Sequence, residues 1–390
     1  MKRSIFEPEH EQFRDLARTF FRRECAPYAE KWERQGHVDR EVWRKAGAAG
    51  LLLWSAPPAY GGGGVVDFRF NAVLSEEYFA AGVTGFGIAV QNDIVGPYLL
   101  ELASPEQQAR WLPGSVSGDI VWAIAMSEPA AGSDLKAITT TAVADGDGFV
   151  LNGSKTFITN GLLADQVIVV AKTRPELGHK GVSLLVVPSS APGFSVGRKL
   201  DKVGQRAQDT AELFFSDVRV PARDVLGEPE HGFYHLMRGL AQERLSIAVS
   251  GAAVMERAVA LTIDYVRTRH AFGRPIGAFQ NTRFELADMH SLTRAARAYV
   301  DQAIGAHRAG ELTAEEAAGL KQWITDRQCE LVDRCVQLFG GYGYMNEYEI
   351  ARLWRDSRVQ RIYAGSNEVM KEIVGRSLRL DEAPARRQSP

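Results

Sequence analysis

The chain has 390 residues, 46 Lys and Arg against 48 Asp and Glu, and a formal charge of −2. It is long enough for two or three domains with their own cores, and it lacks the basic excess that marks nucleic-acid binding. At 45% hydrophobic and 24% charged residues its composition is that of a globular protein, neither collagen-like nor disordered.

Three cysteines (Cys25, Cys329, Cys335) without C-x-x-C spacing build no disulfide framework, which points to a reducing compartment. The opening MKRSIFEPEHEQF has acids and a proline where a signal peptide needs an apolar run. No stretch reaches roughly 18 apolar residues without a charge, so no membrane span and a cytoplasmic location are expected.

From Glu9 to about Leu112 the pattern is helical, with Phe13, Leu16, Ala17, Phe20 and Phe21 on one face. The breaker-rich SAPPAYGGGG separates EVWRKAGAAGLL from VLSEEYFA, and Ser104-Pro105-Glu106 predicts a capped helix start. Between about Val121 and Val225 the period falls to two, in short β-branched runs bounded by Asp-Gly, Asn-Gly and Pro-Gly. Asp145-Gly146-Asp147-Gly148 reads as a hairpin turn, and six or seven such strands suggest a small antiparallel barrel or sandwich. From His231 the helical period returns over about 232–268, 279–309, 313–339 and 346–374, the pattern of an antiparallel four-helix bundle. The expected class is α+β: a helical domain over 1–121, a β-barrel domain over 122–230, a helical bundle over 231–384, and a frayed tail at 385–390.

Walker, H-E-x-x-H, G-x-S-x-G and zinc-type spacings are absent, and no metal is expected. The informative stretch is Met126-Ser-Glu-Pro-Ala-Ala-Gly-Ser-Asp134, where small residues admit a ligand to the backbone and Ser127 and Ser133 add hydroxyls. Phe157-Ile-Thr-Asn-Gly161 sets an aromatic and a hydroxyl on alternate strand positions, and Arg267-Thr-Arg-His-Ala-Phe-Gly-Arg274 brings a guanidinium and an aromatic to a helix end.

In MSEPAAGSD, LNGSKTFITNG, RTRHAFGRPIGAFQ, QLFGGYGYMNEYEIARLWRD and RIYAGSNEVMKEIVGR, taken in that order, the chain resembles the acyl-CoA dehydrogenase family along nearly its whole length. The resemblance implies FAD held without a dinucleotide fold. It places Ile124, Met126, Ser127, Gly132 and Ser133 along the isoalloxazine ring and its N(5) side, and Phe157, Ile158 and Thr159 across from them. It sends Arg269, Phe272 and Gln280 to the FAD of a neighbouring subunit, with Gln337, Gly340 and Gly341 near the adenosine end. Ser366 and Glu368 fall where the family contacts FAD. A guanidinium such as Arg269 suits a pyrophosphate through two charge-assisted bonds, while a plain helix stop is the other reading of Gly340-Gly341.

The family's reaction needs a base for an α proton, and many members carry it as Glu in Tyr-Glu-Gly-Thr. Here that place reads Tyr363-Ala364-Gly365-Ser366, and a methyl group accepts no proton. Long-chain and isovaleryl-CoA dehydrogenases place the Glu upstream in Leu-x-x-Glu-Arg-Leu, which Leu240-Ala241-Gln242-Glu243-Arg244-Leu245 resembles. Glu243 is therefore the expected base, on a face shared with Leu240 and Ile247; a salt-bridged structural Glu beside Arg244 is the other reading. The resemblance further implies that the Ala364 N–H meets the thioester carbonyl and that Ala364 and Gly365 leave room for the acyl chain. By position, CoA would meet Ser133, the Lys180 region, Tyr234 and Arg244. The expected activity is oxidation of an acyl-CoA to a trans-2-enoyl-CoA by a homotetramer, a dimer of dimers, that passes electrons to an electron-transfer flavoprotein. The alternatives are an acyl-CoA oxidase, a flavin monooxygenase, a carrier-protein acyl dehydrogenase or a non-catalytic acyl-CoA binder.

Overall fold

Pro8 starts helix α1 (Pro8–Phe20) at a position whose N–H needs no partner. The helical segment is then interrupted: a widened turn at Phe21–Cys25 and a 3-10 turn holding Pro27 precede α2 (Ala29–Gln35). Helices α3 (Arg40–Ala48), α4 (Phe68–Ala80), α5 (Gly96–Leu102) and α6 (Pro105–Ser117) complete the N-terminal part of a computed structural model that describes residues 3–381. Ser104 caps α6 as expected: its Oγ accepts from the Gln107 N–H and its N–H donates to Gln107 Oε1. Trp32, Trp43, Phe21, Leu51 and Tyr78 pack into one buried cluster between these helices.

The middle of the chain forms β1 (Trp122–Ala125), β2 (Thr141–Asp145), β3 (Gly148–Thr159), β4 (Gln166–Lys172), β5 (Val182–Pro188), β6 (Phe194–Lys199), β7 (Thr210–Pro221) and β8 (Val225–Leu226). They join in one sheet in the order β6-β7-β3-β2-β4-β5-β8, with β1 also on β4. The β2–β3 turn is the two-residue hairpin read from Asp-Gly-Asp-Gly, since Asp145 pairs with Gly148. The α+β class holds, but the sheet is mixed and not wholly antiparallel, because β4 runs parallel to both β1 and β2. Parallel neighbours need a long crossover, and the β2–β3 excursion supplies the one between β1 and β4. β4 is buried on both faces, Ile168 and Val170 toward the N-terminal helices and Val167, Val169 and Ala171 toward β3 and β7, so it reads as a continuous apolar run.

The C-terminal part holds α7 (Gly232–Thr268), a ribbon of β9 (His270–Ala271) and β10 (Arg274–Pro275), α8 (Gln280–Ala309), α9 (Ala314–Phe339), α10 (Glu349–Ser357) and α11 (Asn367–Ser377). The expected continuous helix over 346–374 is broken. A 3-10 turn at Arg358–Arg361 follows α10, Ala364 and Gly365 take left-handed backbone (φ 51° and 88°), and Ser366 caps a new helix. Left-handed residues end the hydrogen-bond ladder, so the periodicity on either side belongs to two helices. The predicted tail at 385–390 lies outside the described residues.

α7 has the length and hydropathy of a membrane-crossing helix, but 61% of its most apolar stretch is buried inside the protein, against α4, α8 and α9. α4 is shared by two cores: Phe68 and Ala72 join the bundle, while Leu74 and Tyr78 face the N-terminal helices. Buried Glu76 on α4 accepts from Arg297 on α8 at 2.8 Å and from Arg3 and Arg14, which ties the N-terminal helices to the bundle.

Candidate active site

α7 turns Glu243, Ser246, Ile247, Ser250 and Val254 to one side, the i, i+3, i+4, i+7 spacing of a single helical face. They border a cavity of about 290 Å³ whose other walls come from α4, from Asp93 and Ile94, from the edge of the sheet, and from Tyr363 and Ala364. Two serines stand on this face, so the stripe around Glu243 is mixed and not the apolar one expected from Leu240 and Ile247.

Glu243 is 4% exposed, and its Oε1 accepts from the Tyr98 hydroxyl at 3.2 Å. Burial pushes the carboxyl up to about 7, and the Tyr98 bond and the Arg244 charge recover only part of that rise. Gly239, one turn earlier, makes the pair possible: a Cβ there would lie 2.8 Å from the Tyr98 oxygen and 3.3 Å from Glu243 Oε1. A second cavity of about 480 Å³ meets Glu243 from the Tyr98 side, so the carboxyl stands at the junction of two spaces. Two other acids line the first cavity; both oxygens of Asp93 are bonded, whereas Asp356 Oδ2 has no partner among the described residues. Asp93 Oδ1 accepts from Asn71 at 2.7 Å and Oδ2 from Ser246 Oγ, and Asp356 accepts from the Gln205 N–H. Because the Tyr98 bond favours the carboxylate, Tyr98→Phe is expected to raise the Glu243 pKa. The titration of that carboxyl then moves upward by about one unit, the worth of a hydrogen bond to a charge. Infrared difference spectra of the carboxyl between pH 5 and 9 check this, and an unmoved or lowered titration contradicts it.

Across the cavity the helix break is tied down by side-chain hydrogen bonds. Fully buried Lys321 donates to the Gly365 carbonyl at 2.8 Å and to Asn367 Oδ1 at 2.9 Å, while the Ala364 N–H makes no hydrogen bond among the described residues. On the sheet side the cavity meets Ile124, Met126, Ser127, Phe157, Ile158 and Thr159, so the structure brings these six expected residues together. Phe157 lies at a register shift between β3 and β7, with φ 60°, and is 70% exposed.

The segment carrying Met126 and Ser127 is pinned by a buried ion pair that the sequence reading missed. Lys155 Nζ donates to Glu128 Oε1 at 2.9 Å and to the Met126 carbonyl at 3.0 Å, and the Thr139 and Thr140 N–H groups donate to the same carboxylate. The carboxyl is held down at about 2, and burial draws the ammonium down only to about 8, so both are charged at neutral pH.

Other expected residues lie elsewhere. Arg269, Gln337, Gly340 and Gly341 share a separate groove of about 550 Å³, with the Arg269 guanidinium 5.3 Å from the Tyr342 ring centroid. Phe272 is 95% exposed and Gln280 is exposed at the start of α8. Gly132 and Ser133 sit on an exposed turn outside the cavity, and Tyr234 is exposed in a groove between α6 and the start of α7. Ser366 caps α11, and Glu368 is exposed in its first turn. The expected CoA contact of Arg244 is not supported. Successive helical residues point about 100° apart, so with Glu243 facing the cavity Arg244 is buried toward the start of α9, donating to the Ala314 carbonyl at 3.3 Å.

Helices, a mixed sheet and a helical bundle enclose a buried carboxylic acid with its pKa raised to about 7, a group able to exchange a proton with a ligand in the cavity. Comparison with known proteins makes that specific. Residues 7–119 match the acyl-CoA dehydrogenase N-terminal domain, 123–218 the middle domain and 230–379 the C-terminal domain. The chain is 44% identical to the long-chain specific acyl-CoA dehydrogenase of Rattus norvegicus mitochondria, over 97% of this chain and 88% of that protein. A crystal structure of acyl-CoA dehydrogenase from Geobacillus kaustophilus superposes with a TM-score of 0.94 at 46% identity, over 96% of this chain and 99% of that one. A glutaryl-CoA dehydrogenase from Mycobacterium smegmatis in complex with FADH2 superposes at 0.90 with 25% identity, over 98% and 97% of the two chains.

The chain belongs to the acyl-CoA dehydrogenase family, oxidoreductases that act on CH–CH groups, and its cofactor is FAD. The residues present fit that cofactor. Phe157 offers an exposed aromatic face beside Ser127 and Thr159, and a Cβ at Gly132, Gly340 or Gly341 would meet no heavy atom within 4 Å, leaving those backbones open to approach.

Proposed function

We propose that the protein oxidises an acyl-CoA thioester to the trans-2-enoyl-CoA, with Glu243 as the base. The observation that carries this is the buried Glu243 carboxyl, raised to about 7 and opening on the cavity where Ala364 offers only a methyl group. Glu243 takes the α proton, and the electron pair of that C–H bond forms the Cα–Cβ double bond as the β hydrogen departs with its own pair. Bound FAD supplies the hydride acceptor. The unpaired Ala364 N–H donates to the thioester carbonyl, where negative charge develops; preorganised donors of this kind are often the largest catalytic contribution.

Ile124, Met126 and Ser127 lie along the flavin ring with Phe157, Ile158 and Thr159 across from them. Arg269, Phe272, Gln280, Gln337, Gly340 and Gly341 serve the cofactor of a neighbouring subunit in a tetramer, which accounts for the exposure of Phe272 and Gln280. The CoA moiety lies outside the cavity, at exposed Ser133 and Tyr234, and an electron-transfer flavoprotein reoxidises the enzyme. Anaerobic titration of the yellow protein with straight and branched acyl-CoAs tests the reading: bleaching of the visible flavin band is the expected result. A flavin that no acyl-CoA bleaches makes the protein a non-catalytic binder and overturns the proposal.

A further inference from the structure

Along α7 the cavity wall is polar but satisfied. Ser250 Oγ lies 3.0 Å from Ser75 Oγ on α4, and Ser246 Oγ donates to Asp93. The far end is different. Gln328 and Gln360, 0% and 2% exposed, both line the cavity, and the amide oxygen of each has no hydrogen-bond partner among the described residues. The Gln328 amide is oriented by its NH₂ group, which donates to Ser357 Oγ at 2.8 Å, while that hydroxyl donates to the Leu353 carbonyl at 2.6 Å. The oxygen is thus the end left over.

Both approach the same point of α7. A Cβ at Gly251 would stand 2.7 Å from Ile324 Cγ2, 3.0 Å from Gln328 Oε1 and 3.5 Å from Gln360 Oε1, so the glycine lets the two acceptors pack close together against the helix. Gly251 lies eight residues beyond Glu243 on the same helix, roughly 12 Å at the α-helical rise. Two buried carbonyl oxygens at the end of an acyl channel are a poor match for a hydrocarbon tail, because a methyl terminus keeps water out and leaves both acceptors unpaired.

We propose that this end of the cavity is a subsite for a hydroxyl group carried on the acyl chain far from the thioester, with Gln328 Oε1 and Gln360 Oε1 as its acceptors. The inference rests on reading the cavity as the acyl pocket. A hydroxyl donates to neutral acceptors without bringing charge into a buried site. A carboxylate would oppose acceptor to acceptor.

The experiment compares kcat/KM of the holoenzyme for two acyl-CoAs of equal chain length, one ending in a methyl group and one hydroxylated near that end, with anaerobic flavin bleaching measured in parallel. The hydroxylated thioester is expected to be favoured about tenfold or more, as for a site built to bond a hydroxyl. Gln360→Leu is expected to abolish or invert that preference, chiefly through better use of the methyl-ended chain, and Gln328→Met to move the ratio the same way. Equal or better use of the methyl-ended chain by the wild type overturns the subsite. So does an unchanged ratio in folded, FAD-containing Gln360→Leu, which assigns the acceptors to water. If a variant fails to fold, the wild-type ratio still decides. Bleaching by both thioesters without preference removes the subsite alone, whereas no bleaching by either removes the acyl-CoA reading itself.

Discussion

Glu243→Gln is expected to give a folded, yellow protein whose flavin acyl-CoA reduces about 10²- to 10⁴-fold more slowly than in the wild type, the span that general-base catalysis supplies. Glutamine keeps the volume and can still accept the Tyr98 hydrogen bond, so the packing around Gly239 and Tyr98 is undisturbed. Only the proton-accepting group is lost. The same variant carries a stability signature. The folded state raises this carboxyl from an ordinary 4.5 to about 7, so between those values the unfolded chain is ionised while the folded protein holds the proton. Native stability therefore falls as pH rises through that window, and above it the buried charge costs on the order of 3 kcal/mol. Glu243→Gln is accordingly expected to be more stable than the wild type above pH 7 and equal to it below about 4.5. Melting curves across that range check the sign, and a variant less stable at pH 8 contradicts it. A residue that weakens the fold while facing the cavity has the profile of a functional group.

The second large effect is expected at Lys155. Lys155→Met removes the cation that faces Glu128 and the donor to the Met126 carbonyl, leaving a buried carboxylate with three neutral donors. Breaking one partner of a buried pair costs about 3–5 kcal/mol, and the segment bearing Met126 and Ser127 loses its anchor. A lower Tm together with weaker FAD retention on gel filtration is the expected result. The double variant Glu128→Gln/Lys155→Met, which leaves no uncompensated charge, recovers part of the stability but not the FAD affinity. A Lys155→Met protein of wild-type stability rules out the pair as a structural anchor.

Much of the layout was legible because it rests on local signals: the Ser104 cap, the Asp-Gly-Asp-Gly hairpin, and the switch of period near residues 121 and 230. Glu243 was singled out by its Leu-x-x-Glu-Arg-Leu setting; of the two apolar neighbours read onto its face, Ile247 lines the cavity with it and Leu240 does not. What escaped lies in pairings between distant segments. Tyr98 stands 145 residues from Glu243, and only the packing of α5 on α7 makes it a partner. The Glu128–Lys155 pair joins a turn to a strand whose alternation placed no charge inside. The break between α10 and α11 had a signal in Ala364-Gly365-Ser366, outweighed by periodicity on both sides. The CoA contact of Arg244 came from the resemblance by position, and position along the sequence does not reveal that the helix turns this side chain away from Glu243, toward the start of α9.

Proton abstraction can be isolated from oxidation with an acyl-CoA that has α hydrogens but no β hydrogens, incubated with the FAD-containing protein in heavy water. Deuterium incorporation at the α carbon, followed by mass spectrometry, is expected in the wild type, rising through about pH 7 as Glu243 ionises, and is expected to be lost in Glu243→Gln. Incorporation by Glu243→Gln at near the wild-type rate would contradict the assignment and place the base on another residue.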